Sequence, residues 1–207
     1  MPIIDKLAHS LNRRDEVPNQ ELAKKIAAGK DKDAVKELIS LLNHKSKDIQ
    51  FDCIKVLYEI GELQPSLIKT YTKDFVGLLE HKHNRNIWGA MHAIDSITLE
   101  DPKLIYSYLS KIMDAAEKGS VITKDHTVSI LIKLCTIKQY AKDAFVLLIE
   151  LMKDCPTNQL PMYAENAMGI VNDNNKIIFI KTLKGRLTEI EKETKRKRVE
   201  KVIKKIS

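Results

Sequence analysis

The sequence predicts an all-α fold in which helical hairpins repeat along the chain. The 207 residues include only 7 glycines and 6 prolines, which is few for a sheet-rich fold with many tight turns. Helix-favouring residues fill runs of roughly 12 to 18 positions between short polar breaks. A hairpin pattern recurs about every 37 residues, as is typical of a helical solenoid. We therefore expect an α-α superhelix, a right-handed solenoid of about five hairpins with a long C-terminal helix.

The clearest copy of the first helix in a hairpin runs from Ser46 to Gly61. Ser46 is a good N-cap, and Asp48 places negative charge in the first turn, where the helix dipole favours it. Gly61 is positioned to supply the C-terminal cap, with Pro65 beyond it. Apolar residues at helical spacing form one stripe, namely Ile49, Cys53, Val56, Leu57 and Ile60.

A second helix is predicted from Pro65 to Glu80, since proline is favoured in the first helical turn. Its apolar stripe consists of Leu67, Ile68, Tyr71, Phe75, Val76 and Leu79. A shift of about 37 residues places Ile94 on Leu57 and Pro102 on Pro65, so the same hairpin recurs. One hairpin cannot bury both of its stripes alone, and each copy therefore needs neighbours.

The remaining elements follow from the same pattern. Asn19 is expected to cap a short helix in the first and least regular hairpin, 20–28 with 31–43. The later hairpins are predicted at 83–98 with 102–117, 121–136 with 139–153, and 159–171 with 175–190. A short amphipathic helix over 2–11 would carry Ile3, Ile4, Leu7 and Leu11 on one side. The predicted divisions are an N-terminal capping segment 1–18, a repeat array 19–190 and a basic C-terminal helix 191–207.

The pattern resembles the HEAT-like, armadillo-type helical repeat family. Its first-helix sequence, with a polar start, a branched apolar residue, small and leucine positions and a final Ile-Gly, is matched by Ser46, Ile49, Cys53, Val56, Leu57, Ile60 and Gly61. The resemblance covers about residues 19–190, and the copy that departs most carries Asp125 and His126 in place of apolar or small residues. The resemblance implies a stack of helical hairpins that serves as a binding surface.

Composition indicates a protein of a reducing compartment. The three cysteines have no metal-ligand spacing, and Cys53 and Cys135 lie on apolar stripes, so buried free thiols are expected. The N-terminus lacks a secretory pattern, and no stretch approaches the roughly 20 apolar residues of a membrane span. We therefore expect no transmembrane segment and a cytoplasmic location.

The sequence matches none of the common catalytic motifs. The sequence contains no glycine-rich phosphate loop, nucleophile elbow or zinc spacing, so we predict no catalytic residues, no metal site and no cofactor. His81 and His83 could form a metal pair, but a solvated loop is favoured because no cysteine or carboxylate completes a set nearby. Pairing of His92 with Asp95, one turn on, is favoured over acid–base chemistry.

Trp88, the only tryptophan, has two interpretations: packing against the neighbouring repeat, or an exposed aromatic anchor at an interface. Bacterial HEAT-like DNA glycosylases that excise alkylated purines resemble this chain in hairpin length and use a tryptophan closely followed by an acid on a basic surface. That resemblance implies nucleic-acid binding or DNA repair, with Trp88 and Asp95 exposed on a positive strip. The sequence departs from it, because His92 occupies the closer position.

The second helices usually line the concave side of HEAT-like arrays. The resemblance therefore implies a row of aligned polar positions there, Lys69, Tyr106 and Asp143, followed one turn on by Lys73 and Ser110. This mixed row suits a protein or peptide surface, although an ordinary solvated face fits it as well.

The net charge of +7 belongs to the end of the chain. Residues 1–180 hold 24 Lys and Arg against 24 Asp and Glu, whereas residues 181–207 hold 11 against 4. The basic run Lys195 to Arg198 allows a solvated helix end, contact with an anionic partner such as nucleic acid, or a nuclear address. The glutamates interleaved with this basic run favour a solvated helix end.

We conclude that the sequence predicts a non-catalytic scaffold that binds a protein or peptide through its helical-repeat surface. Nucleic-acid binding or DNA repair of the alkylpurine glycosylase type is the alternative, with nucleic acid also possible through the basic tail. The residues predicted to contact a partner are Lys69, Lys73, Trp88, Tyr106, Lys195, Arg196, Lys197 and Arg198.

Overall fold

The computed structural model describes residues 2–207, which contain α-helices and short 3-10 turns and no β-strand. The helices are α1 (Val17–Gly29), α2 (Lys32–Leu41), α3 (Lys47–Leu63), α4 (Thr72–Gly77), α5 (Asn84–Ile97), α6 (Pro102–Ser107), α7 (Leu109–Lys118), α8 (Val121–Cys135), α9 (Ala141–Asp154), α10 (Leu160–Ala167), α11 (Lys176–Arg186) and α12 (Glu193–Ile206). No helix in this range is both long and apolar enough to cross a bilayer.

The chain divides into two compact units between Thr127 and Val128. In the first unit α1, α3 and α5 lie side by side, α2 packs on α3, and α4 packs on α5. In the second unit α12 packs on both α10 and α11, and α11 packs on α9. Each unit thus has the paired-helix organisation that the repeat pattern predicts.

Burial follows the predicted period of about 37 residues closely. Leu57, Ile94 and Leu131 are equivalent positions of α3, α5 and α8, and all three are fully buried. The same holds one turn later for Ile60, Ile97 and Leu134. The apolar stripes of the first helices are therefore core positions, as the sequence predicts.

The second helices are less regular than predicted. The stretch from Pro65 to Glu80 is divided into three short 3-10 turns and the six-residue α4, and a break at Tyr108 separates α6 from α7. The apolar residues still point inward, since Ile68 and Phe75 are fully buried. Periodicity thus identified the buried side chains but not the interruptions of the backbone.

Three local predictions at helix ends are wrong. Gly61 does not cap α3, which continues to Leu63; the glycine is needed because a Cβ there would lie 2.2 Å from Oγ of Ser96. Asn19 lies inside α1, where its buried side chain accepts from the backbone N–H of Ala8. At the N-terminus the predicted amphipathic helix is one 3-10 turn, and Leu11 is 50% exposed.

Cys135 is only half-buried, in contrast to its predicted full burial, while Cys53 is buried as expected. All three cysteines are free thiols. Burial raises the pKa of Cys135 to about 12, so its thiol stays protonated and unreactive at neutral pH.

Helices α3 and α5 also approach each other closely at Gly89. A Cβ at this position would lie 2.5 Å from Cγ1 and 3.0 Å from Cγ2 of the buried Ile54, a β-branched side chain with little rotamer freedom. Ile54 therefore packs directly onto the backbone of α5, and the glycine sets the separation of the two helices.

We predict that Gly89→Ala destabilises the protein by about 1 to 2 kcal/mol, because the methyl group forces Ile54 and α5 apart. The matched control is Gly185→Ala in α11, where a Cβ meets no atom within 4 Å and alanine is the better helix former. That variant should be more stable than the wild type by about 0.5 to 1 kcal/mol. Urea unfolding of both variants measures these changes, and equal stabilisation by both would contradict the close approach.

Candidate binding groove

The first helices of the first unit form a groove between their exposed faces. On α5, Arg85, Trp88 and His92 follow one another at one-turn spacing and so project from one side of the helix. A cavity of about 280 Å³ lies over them; together with the residues around it we call it the aromatic groove. Its walls are Glu16, Phe51, Ile54, Lys55, Tyr58, Arg85, Trp88, Gly89, His92, Ile122 and His126.

Three aromatic rings are stacked across the groove, one from each of α3, α5 and α8. The ring centroids of Tyr58 and His92 are 4.3 Å apart with an angle of 17° between the planes. Those of His92 and His126 are 4.5 Å apart at 29°. Such stacking stabilises aromatic pairs beyond the area they bury, and it fixes the orientation of each ring.

Each histidine of the stack is held by a carboxylate on a neighbouring helix. Nε2 of His92 donates to Oε1 of Glu62 at 2.7 Å, and Nδ1 of His126 donates to Oδ2 of Asp95 at 2.9 Å. Burial is the main cause that lowers the pKa of His92, and the electrostatic effect of the neighbouring His126 is the second. His92 is therefore neutral at pH 7 and donates through its uncharged ring.

The other end of the groove is lined by ion pairs that also lie over aromatic rings. Nζ of Lys55 lies 2.7 Å from Glu16 and 2.8 Å from Glu59, and it sits 4.8 Å from the ring centre of Tyr58. Arg85 lies 5.3 Å from the ring centre of Phe51. Burial lowers the pKa of Lys55, but the hydrogen bonds to Glu16 and Glu59 outweigh it and raise the pKa overall. The ammonium thus remains charged and held in place.

A second cavity of about 340 Å³ adjoins the aromatic groove. The two cavities share the lining residues Glu16, Phe51, Lys55 and Arg85, so they lie next to each other. The second cavity is lined mainly by charged and polar side chains of the N-terminal segment, α1 and α3, and we call it the polar cleft. Its further lining residues are Ala8, His9, Arg13, Arg14, Asp15, Asn19, Asp48 and Asp52.

Trp88 lines the aromatic groove and is half-buried. Ile54 of α3 and Ile122 of α8 line the same cavity, and Ile122 is 42% exposed. The indole also forms part of a third cavity of about 320 Å³, together with Lys111 and Ser120. Trp88 is therefore neither fully buried nor fully exposed, and its role as an interface anchor stays a prediction.

Asp95 is not available as an acid beside Trp88. Its side chain is buried, with 7% exposure, and it accepts a hydrogen bond from His126. The expectation that Trp88 and Asp95 are exposed together on one surface is therefore wrong. Within residues 2–207 no three histidine, cysteine, aspartate or glutamate side chains converge in a way that could hold a metal ion.

The other residues predicted to contact a partner lie outside the aromatic groove. Lys69 forms an ion pair with Glu100 at 3.3 Å, and Lys73 is exposed on α4. Tyr106 lies on α6 with its side chain partly buried. Only Trp88 of the predicted set is therefore part of this groove.

The basic run of α12 is partly tied to the second unit. Arg198 makes two hydrogen bonds to Glu165, of 2.8 and 2.5 Å, and Lys195 donates to the side chain of Asn158 at 2.7 Å. Lys197 pairs with Glu193 on the exposed surface, and Arg196 is partly buried. Two of the four predicted contact residues thus anchor the helix to its own unit.

Sequence reasoning missed the stack because its members belong to different helices. Tyr58, His92 and His126 are roughly 34 residues apart, one turn less than the repeat period of about 37. A residue of one helix therefore contacts the residue that lies one turn before its equivalent position in the next repeat. A search for aromatic and histidine residues at this shorter spacing would have found the stack.

Comparison with solved structures shows the fold. An engineered protein, 19% identical, has a TM-score of 0.64 over 100% of this chain and 99% of its own. A designed armadillo repeat protein in complex with the peptide (KR)4 is 16% identical, with a TM-score of 0.69 over 99% of this chain and 98% of its own. Computationally designed armadillo repeat proteins for modular peptide recognition give 17% identity and a TM-score of 0.62 over 91% of each chain.

No protein-family model matches the sequence, and no curated protein matches it either. The structural similarity extends over nearly the whole chain and confirms the predicted all-α fold class and its HEAT-like, armadillo-type character. At these identities the similarity shows the fold alone.

The lowered pKa of His92 predicts a pH-dependent contribution to stability. The unfolded chain protonates His92 near its ordinary pKa of about 6.5, whereas the folded chain protonates it only at lower pH. The free energy of unfolding should therefore fall as pH drops from 7.5 to 5, and it should fall less in His92→Gln, which cannot take up this proton. Urea unfolding of both proteins at the two pH values measures the difference. Identical pH dependence would contradict the depressed pKa.

Proposed function

We propose that this protein is a non-catalytic interaction scaffold that binds a peptide segment of a partner protein along the aromatic groove, with Trp88 as the central anchor. The observation that carries the proposal is the composition of the groove. A half-buried tryptophan lines one cavity together with Tyr58, Phe51 and Arg85. Tryptophan, tyrosine and arginine are the residues that dominate the binding energy of protein interfaces.

The dimensions of the groove favour an extended segment over a small molecule. The aromatic groove and the polar cleft, of about 280 and 340 Å³, lie next to each other with Glu16 and Arg85 lining both, so neighbouring side chains of one peptide could occupy the two cavities. An apolar centre with a charged rim is the usual organisation of a protein interface. The rim of the groove carries both positive and negative side chains. It therefore suits a peptide in which an apolar or aromatic residue is flanked by charged residues.

The groove is held in shape before any partner binds. Stacking fixes Tyr58, His92 and His126, and Lys55 is held by two carboxylates. A preorganised site loses less side-chain entropy on binding. The similar designed armadillo proteins, one in complex with (KR)4 and others made for modular peptide recognition, support the use of this fold for peptides. The free thiols fit a reducing compartment, and we place the protein in the cytoplasm.

Selection from a displayed library of random peptides on the purified full chain tests this proposal. The tightest peptide is synthesised with a fluorophore and titrated by anisotropy. We expect Trp88→Ala to weaken binding by about 30-fold or more, the range of an interface hot spot. Because Trp88 is the only tryptophan, its emission should also change when the wild type binds the peptide.

Two further variants separate binding from folding. Ile122→Lys changes an exposed residue of the groove, and Leu99→Lys changes an equally apolar residue that is 56% exposed and lines none of the three cavities. Ile122→Lys should weaken peptide binding about tenfold or more, while Leu99→Lys should leave the affinity within about twofold of the wild type. Unchanged affinity in both Trp88→Ala and Ile122→Lys would refute the groove as the binding surface.

A further inference from the structure

The C-terminal helix α12 uses its apolar side to attach to the second unit. Val199, Val202 and Ile203 are buried, and the helix packs on α10 and α11. The double hydrogen bond between Arg198 and Glu165 and the contact of Lys195 with Asn158 fix its rotation. The opposite side of α12 therefore faces solvent in a defined orientation.

That exposed side carries a stripe of lysines. Lys197, Lys201, Lys204 and Lys205 are all exposed and fall at positions i, i+4, i+7 and i+8, which share one face of a helix. At a rise of about 1.5 Å per residue the stripe is about 12 Å long. Within α12 as a whole, 7 Lys and Arg residues stand against 2 glutamates, Glu193 and Glu200. We call these four residues the lysine stripe.

We propose that the lysine stripe binds the phosphate backbone of nucleic acid. A duplex strand carries one phosphate per about 3.4 Å of helix axis, so several phosphates fall within the length of the stripe. The stripe offers only ammonium groups, compact point charges that neutralise phosphates and lack the planar fork of donors with which arginine recognises a base edge. Binding is therefore sequence-independent and strongly salt-dependent, and it involves a surface separate from the aromatic groove.

The packing of α12 favours nucleic acid over a membrane surface. A helix that lies in a lipid interface inserts an apolar face, but Val199, Val202 and Ile203 are already buried against the protein. The exposed residues of α12 are lysines together with Glu193, Thr194, Arg198 and Glu200, and Arg198 is engaged by Glu165. Glu193 pairs with Lys197 at 2.7 Å, so Lys201, Lys204 and Lys205 should carry most of the interaction.

Fluorescence anisotropy with a labelled random-sequence duplex of about 20 base pairs tests this proposal, using the full chain at several salt concentrations. We expect measurable binding at about 50 mM salt that weakens steeply as salt rises. The triple variant Lys201→Glu, Lys204→Glu, Lys205→Glu should bind at least about tenfold more weakly. The negative slope of its log affinity against log salt concentration should decrease in magnitude by about 2 to 3, because three phosphate contacts are lost.

The matched control is Lys24→Glu, Lys25→Glu, Lys36→Glu, which makes the same change in net charge at exposed positions of the first unit. This control should retain most of the affinity. Three results would overturn the proposal: no duplex binding at low salt, equal loss of affinity in the two triple variants, or sedimentation with anionic phosphatidylserine vesicles in place of duplex binding. Peptide binding in the aromatic groove should be unchanged in the Lys201, Lys204 and Lys205 variant.

Discussion

The organisation of the first unit depends on the close packing of α3 against α5. Gly89 lets Ile54 rest on the backbone of α5, and Gly61 allows a similar approach of Ser96. At this separation the rings of Tyr58 and His92 can stack at 4.3 Å, and the hydrogen bond of His92 can reach Glu62. The two glycines are therefore structural requirements of the groove and do not act as turn residues.

The polar groups around the groove are arranged so that most are satisfied within the protein. Lys55 is shared by Glu16 and Glu59, and the buried Asp95 is engaged by His126. Such networks keep side chains in place, since each member would be costly to leave without its partner. Trp88 and the exposed Ile122 then provide the apolar surface that a partner can cover. The rigid polar rim and the accessible apolar centre together account for the proposed role.

The sequence alone identified the core of the first helices with high accuracy, because equivalent positions such as Leu57, Ile94 and Leu131 repeat at a constant period. It missed the breaks in the second helices, since local backbone irregularity leaves the apolar pattern intact. It also missed the groove. Local spacing indicates that Asp95 is a neighbour of His92 on the same helix. It does not reveal that Asp95 accepts a hydrogen bond from His126, 31 residues away on another helix.

The expectation that a partner binds along the second helices came from the resemblance to HEAT-like arrays, whereas the groove lies between first helices. Hydrogen–deuterium exchange of the full chain, with and without a saturating selected peptide, distinguishes the two faces directly. The account predicts slower exchange on peptide binding in α3, α5 and the first turns of α8. Protection confined to α4, α6 and α7, with none around Trp88, would contradict it.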